Sequence, residues 1–382
     1  MPSTTTPNLV RFTGHNYFRQ RITLSILSGK AVRIDGIRPD DQNPGLRDFE
    51  ASFLRLVEKV TNGSIIEISY TGTSVLVKPG IISGGPVTHE CPLSRSIGYF
   101  LEPLVAIAPF SKKPLSLTLK GITSDEKDLS VRGYNTHSHS PAPHSLRHLG
   151  WCRAQGLFCP SIFLPLILTR AQIKKRGAAP LGGGEIEFIC PVVKQLKTLN
   201  FVDPGKIIRI RGIAHAVRVS SDKCPRMIDS CREVLNRYIN DIYLVADVYR
   251  KDDSGKSPGF GMSLLATSTT GALHCSEVIG GAGALPNDIG HAASRSLLSE
   301  IRRGGCVDRH HQWLVLLLMV LGSEDVGKCR MGELTVKSVQ FLRDVKQFFG
   351  TSFKIVPAPD SDSELMLSCF GTGYINSNKA VS

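Results

Sequence analysis

One outline occurs twice in this chain. "RITLSILSGKAVRIDGIRPDD" reads as a helix ending at Ser28-Gly29, then a short alternating strand, then Gly36-Ile37 and an acidic turn. "FLEPLVAIAPFSKKPLSLTLKGITSDE" repeats that order, and its Gly121-Ile122 falls 85 residues after Gly36-Ile37. A single helix and strand cannot bury their own apolar faces, so two copies imply a duplicated α/β module. A third helix, "HQWLVLLLMVLG", followed by "VGKCRMGELTV", opens a weaker third copy. Between the second and third copies lie the loop "KKRGAAPLGGGE", strand-like "IEFICPVV" and "KIIRIRGIAHAVRVS", helical "RMIDSCREVLNRYIND" and "IYLVADVY". This order predicts a small inserted α/β domain over about residues 187–285, with 8–186 and 286–382 forming the large domain.

The longest apolar run, Leu314 to Leu321, is far shorter than the roughly 20 residues a bilayer span needs. The N-terminus "MPSTTTPNLVRF" has no apolar signal core, so the expectation is an intracellular protein with no membrane partner. The ten cysteines include no CxxC pair, and His274 beside Cys275 has no second ligand nearby in the sequence. Neither a disulfide framework nor a metal site is expected.

The net charge of +13 permits an RNA partner without demanding one, because phosphate binding needs clustered charge. Seven of those charges fall between Leu129 and Gly184, a stretch with no Asp or Glu. Within it, "RGYNTHSHSPAPHSLRHLGWCRAQGLFCPSIFLPLILTRAQ" has no clear helix or strand period before "IFLPLIL". Its His137, His139, His144 and His148 stand among Ser and Pro with no fixed scaffold for a metal. The segment 131–172 is therefore anomalous, and reads as a surface insertion or as translated non-native sequence.

Three motifs invite a chemical reading. In "CVDRHHQWLVLLLM" the plainer account is a helix start capped by Asp308, with His310 and His311 partly exposed and mostly neutral. "DSGKSP" fails as a phosphate loop because Arg250 stands where that motif needs glycine. Lys256, Pro258, Gly259 and Gly261 are expected instead to form a tight connection from the inserted domain back to the large one. In "FLRDVKQFF", Arg343, Asp344 and Lys346 span less than a turn of an amphipathic helix. Such a trio could orient water for RNA cleavage, but one carboxylate is too few for two metals. A solvated helix face is the plainer reading.

"LVRFTGHNYFRQRITLSILSGKAVRIDGIR", "NPGLRDFEASFLRLVE", "RSIGYFLEPL", "KRGAAPLGGGE", "GKSPGFGMSL" and "RRGGCVD" together resemble the RNA 3′-terminal phosphate cyclase superfamily. The similarity is closer to its nucleolar, cyclase-like branch. The resemblance implies an α/β (α+β) fold: a large domain of three βαβαββ repeats, with a smaller α/β domain inserted before the third. Family members run through an amphipathic helix and a charged strand after "DEKDLSV", and neither is expected here within about residues 132–172.

The resemblance also implies which chemistry is lost. Active cyclases adenylate a histidine about two dozen residues after the "VD" motif, a position that falls here on Leu334 or Thr335. No histidine follows His311, and neither replacement can form a phosphoramidate. Their adenine-contacting Asp-Gln is also replaced, and Glu102 occupies the place of a nucleotide-contacting glutamine. No catalytic residue and no cofactor is therefore expected. Arg19, Arg21, Arg38 and Arg47 are the candidates for RNA phosphate, since guanidinium donates paired hydrogen bonds. The branch implies a nuclear and nucleolar ribosome biogenesis factor of the small subunit. Its partners would be pre-rRNA, a nucleolar GTPase and small-subunit processome proteins. The alternative is an RNA-processing enzyme, either a pre-rRNA endonuclease using Arg343, Asp344 and Lys346 or a residual cyclase.

Overall fold

The computed structural model describes residues 9–128, 170–281 and 283–377. Its first elements are β1 (Leu9–Thr13), α1 (Phe18–Ser28), β2 (Ala31–Asp35), α2 (Asp48–Val60), β3 (Thr61–Asn62), β4 (Ile65–Ile68), β5 (Val75–Lys78) and β6 (Ile81–Ile82). Four of the strands form a sheet in the order β1-β2-β5-β4, with β1 and β2 parallel. The chain leaves α1 through Gly29, whose φ of 70° is the left-handed conformation that stops a helix and frees the next strand.

The outline recurs in β7 (Gly85–Glu90), α3 (Ile97–Ile107), β8 (Leu115–Gly121), β9 (Arg170–Lys175) and β10 (Gly184–Cys190), with sheet order β7-β8-β10-β9. It recurs again in β11 (Asn200–Phe201), α6 (Gln312–Val320), β16 (Val326–Met331), α7 (Val336–Phe349), β17 (Lys354–Ala358) and β18 (Ser361–Phe370), ordered β11-β16-β18-β17. In each sheet the first pair is parallel and the other two pairs are antiparallel. The helices meet centrally, where α1 packs on α3 and α7, and α6 packs on α3 and α7. Their apolar residues join one core holding Phe53, Phe100, Phe110, Trp313 and Phe341. All nine residues of α6 are buried, as the apolar run "WLVLLLMV" requires, and the polar Gln312 at its start donates to Glu333 O and accepts the Thr335 amide.

A fourth sheet has the order β13-β12-β14-β15, from β12 (Ile207–Val217), β13 (Ile242–Tyr249), β14 (Gly259–Ser268) and β15 (Leu273–Gly280). Two helices, α4 (Lys223–Leu235) and α5 (Pro286–Arg303), cover it and share its separate core of Met227, Leu264, Ile289 and Leu297.

Several sequence expectations need correction. "IEFICPVV", expected to open the inserted unit, supplies β10, which pairs with β8 and β9 in the second repeat's sheet. Helix α5, expected beyond the unit's end at 285, packs its apolar stripe into the second core. The insertion does not precede the third sheet but splits it, because β11 pairs in parallel with β16. A charged strand is present where none was expected through Gln172: "RAQIKK" forms β9, with Ile173 facing Ile186 of β10. The rest of the anomalous segment lies outside the described residues. Gly259 and Gly261 stand inside strand β14 and are no return connection. It is the turn before them that grips the large unit: the Gly255 amide donates to Arg176 O (2.6 Å) and the Lys256 amide to Gly182 O (2.8 Å).

Candidate functional site

A cavity of about 500 Å³ opens where the two units meet. Helix α1 contributes Arg19, α3 Glu102, the turn after β8 Asp125 to Asp128, and β15 Cys275 to Ile279. Arg309 and His310 come from the approach to α6, Thr335 and Lys337 from the start of α7. Because β-α junctions from all three repeats converge here, residues far apart in sequence meet.

Glu102 is the hub. Its side chain is 3% exposed and takes the Arg19 guanidinium at 2.7 Å and the Lys337 ammonium at 3.2 Å. The Trp313 indole N–H also donates to it. Burial alone would push this carboxyl up, but the two cations and the indole hold it down at about 2. Lys337 is lowered by its own burial, against the pull of Glu102. Beside them Arg95 grips Asp128 with two hydrogen bonds, 2.6 and 2.7 Å long. The Tyr99 ring has the Arg19 and Arg95 guanidinium carbons 4.5 and 4.9 Å from its centroid, both within cation–π range.

The expected phosphate-binding arginines do not assemble around this cavity. Arg19 lines it, already paired with Glu102. Arg21 is buried and bonds Asp344 at 3.3 Å, its guanidinium 4.1 Å from the Phe12 ring centroid. Arg38 clasps the buried Glu50 through two bonds of 2.7 and 2.8 Å, and Glu50 in turn accepts the Arg47 amide as a helix cap. The Arg47 guanidinium closes the acidic loop on Asp41 at 2.6 Å.

The nuclease candidates separate in the same way. Arg343 and Lys346 are exposed, while Asp344, between them in sequence, is fully buried against Arg21 and Gln340. Burial raises its carboxyl pKa. A carboxylate facing inward cannot orient water on RNA.

Asp308 holds the turn that leads into α6, its Oδ1 accepting the amides of His310 and His311, each at 3.1 Å, whereas the helix's own N-cap is His311 and has no side-chain cap bond, which corrects the expected cap. The expectation of a neutral His311 is corrected. Burial lowers its pKa, but the Asp308 carboxylate, 2.6 Å from Nδ1, outweighs this and holds it well above the usual value. His310 stands exposed in the cavity wall. Also corrected is the isolation of Cys275. The fold brings its sulfur, an Asp308 oxygen and a His311 nitrogen within 4.8 Å of one another.

Thr335, one of the two residues at the place of a cyclase's histidine, caps α7, its hydroxyl accepting the Ser338 amide at 3.1 Å. Leu334 is half-buried against the main core. Sequence reasoning missed Trp313, Lys337 and Arg95. No local motif marks them, and Lys337 lies 235 residues from its carboxylate partner.

Comparison with known proteins fits this architecture. The family model for RNA 3′-terminal phosphate cyclase matches residues 10–355. A human protein named RNA 3′-terminal phosphate cyclase-like protein is 44% identical over 380 residues, covering 97% of each chain. Proteins named rRNA processing protein are 42% identical in Schizosaccharomyces pombe (98% of this chain, 99% of the relative) and 39% identical in Saccharomyces cerevisiae (99% and 100%). With this coverage and a repeated α/β architecture around a shared central cavity, the chain belongs to the RNA 3′-terminal phosphate cyclase family.

Proposed function

We propose that this protein acts in rRNA processing as a ribosome biogenesis factor of the small subunit, binding pre-rRNA and assembly partners without cyclase chemistry. The relatives named rRNA processing proteins support the first part. The observation that carries the second is the state of the cavity. Of the two residues at the place of the nucleophilic histidine, Leu334 carries no nucleophile and Thr335 is spent on capping a helix, while Glu102 ties up Arg19 and Lys337. A covalent nucleotide intermediate needs a nucleophile with a base beside it, and a capping hydroxyl has none. The resemblance to the nucleolar branch supports residence in the nucleus and nucleolus and work beside a nucleolar GTPase and other processome proteins.

Binding then rests on shape and surface charge, and Arg343 and Lys346 are the exposed cations of the former nuclease trio that could meet RNA phosphates. The endonuclease alternative gains no support from the inward-facing Asp344.

The test has two arms. Incubation with labelled ATP should leave no AMP adduct by intact mass, and an acid-labile gain of one AMP would overturn the reading. Binding to a small-subunit pre-rRNA fragment should weaken with salt, and the double variant R343A/K346A should lower the log–log slope by about two units. A pre-rRNA fragment cleaved at one site by wild type would restore the enzyme reading.

A further inference from the structure

We propose that Cys275, Asp308 and His311 form a zinc site that fastens the inserted unit to the start of α6. One sulfur, one carboxylate oxygen and one imidazole nitrogen lie within 4.8 Å of one another. They offer three ligand types that Zn²⁺ accepts. Bonds of about 2.0–2.3 Å to an ion require these atoms to draw in by roughly an ångström, within the reach of side-chain rotation.

Backbone amides already fix one of the three, the Asp308 carboxylate. Asp308 accepts the amides of Cys275 (3.3 Å), His310 and His311, so its carboxylate is aimed from both sides of the seam. A bridge between Leu273 and Val307, two residues before Cys275 and one before Asp308, ties the same two segments. Ligands oriented by hydrogen bonds of this kind are what hold a metal geometry. Cys275 and Asp308 are buried, which limits the water competing for the ion, while Cys275 also lines the cavity, whose water can complete a fourth position. In the metal-free form the Nδ1 of His311 and Oδ1 of Asp308 share a proton at 2.6 Å, and an ion would displace it. The site spans strand β15 of one core and the approach to α6 of the other, so the ion would act as a cross-link between them.

The experiment titrates Co²⁺ into protein stripped with chelator. One equivalent should produce a near-ultraviolet thiolate-to-cobalt charge-transfer band, which Zn²⁺ then abolishes by displacement. Cys275→Ser should lose the band, and His311→Ala should bind at least tenfold more weakly. Cys369→Ser, a buried thiol elsewhere in the main core, should keep it. Circular dichroism of the stripped variants separates lost ligation from lost folding. If stripped wild type is folded and shows no band, or if a folded Cys275→Ser keeps it, the proposal is overturned and the trio is a hydrogen-bonded cluster alone. Should Cys275→Ser not fold, His311→Ala decides: unchanged Co²⁺ affinity overturns the site and a tenfold loss supports it.

Discussion

Glu102 shows what two cations do when the carboxylate they share is removed. Replacing it with Gln leaves Arg19 and Lys337 without the buried carboxylate that both now share. Breaking a buried pair from one side costs about 3–5 kcal/mol, so Glu102→Gln should lower unfolding free energy by that order at pH 7. The sign with pH follows from a folded-state pKa depressed to about 2 against an ordinary 4.5. The stabilisation is present above pH 4.5 and is lost as pH falls towards 2. Urea unfolding of wild type and variant from pH 7 to pH 3 should therefore show the gap narrowing on the acid side. A constant gap would mean that shape and not charge is at stake. Asp344→Asn should leave the salt slope of RNA binding unchanged, because that carboxylate is buried against Arg21. A changed slope would return that aspartate to the RNA surface.

Helix ends are where the elements can be tested. Thr335→Ala removes the oxygen that accepts the Ser338 amide, and should cost about 1 kcal/mol without altering nucleotide behaviour. Thermal melts check the first and ATP labelling the second. Gly29→Ala forces a side chain into φ 70° and should cost roughly 1–2 kcal/mol, read in the same melts. These ends were legible in the sequence because their causes are local. A glycine stop after "RITLSILS", an alternating "AVRID" and an apolar "WLVLLLMV" each fix one element within a few residues. The pattern of "IEFIC" was equally clear as a strand, yet it could not name its sheet, since either sheet accepts an alternating apolar face. The site was harder still. Arg21 and Asp344 stand 323 residues apart, and each looked available until the fold brought them together inside the core. The resemblance located the cavity, but which of its cations are already spent is a property of packing.

At the scale of the molecule, two apolar cores meet along a polar seam. The second core closes on itself through four strands and two helices, so a fragment of residues 205–304 should unfold in urea as one cooperative transition. A gradual, non-cooperative loss of circular dichroism would show that the seam, not its own core, holds it together.

The split third sheet also sets an order in time. Asn200 is made early, but its strand partner Lys328 follows 128 positions later. At about 5–20 residues per second, synthesis leaves the β11 edge waiting roughly 6–26 s for its neighbour. During that interval the intervening unit has been translated in full and can close its own sheet. The ribosome thus delivers a finished small body first, and the last repeat is completed around it from two pieces of chain born on either side.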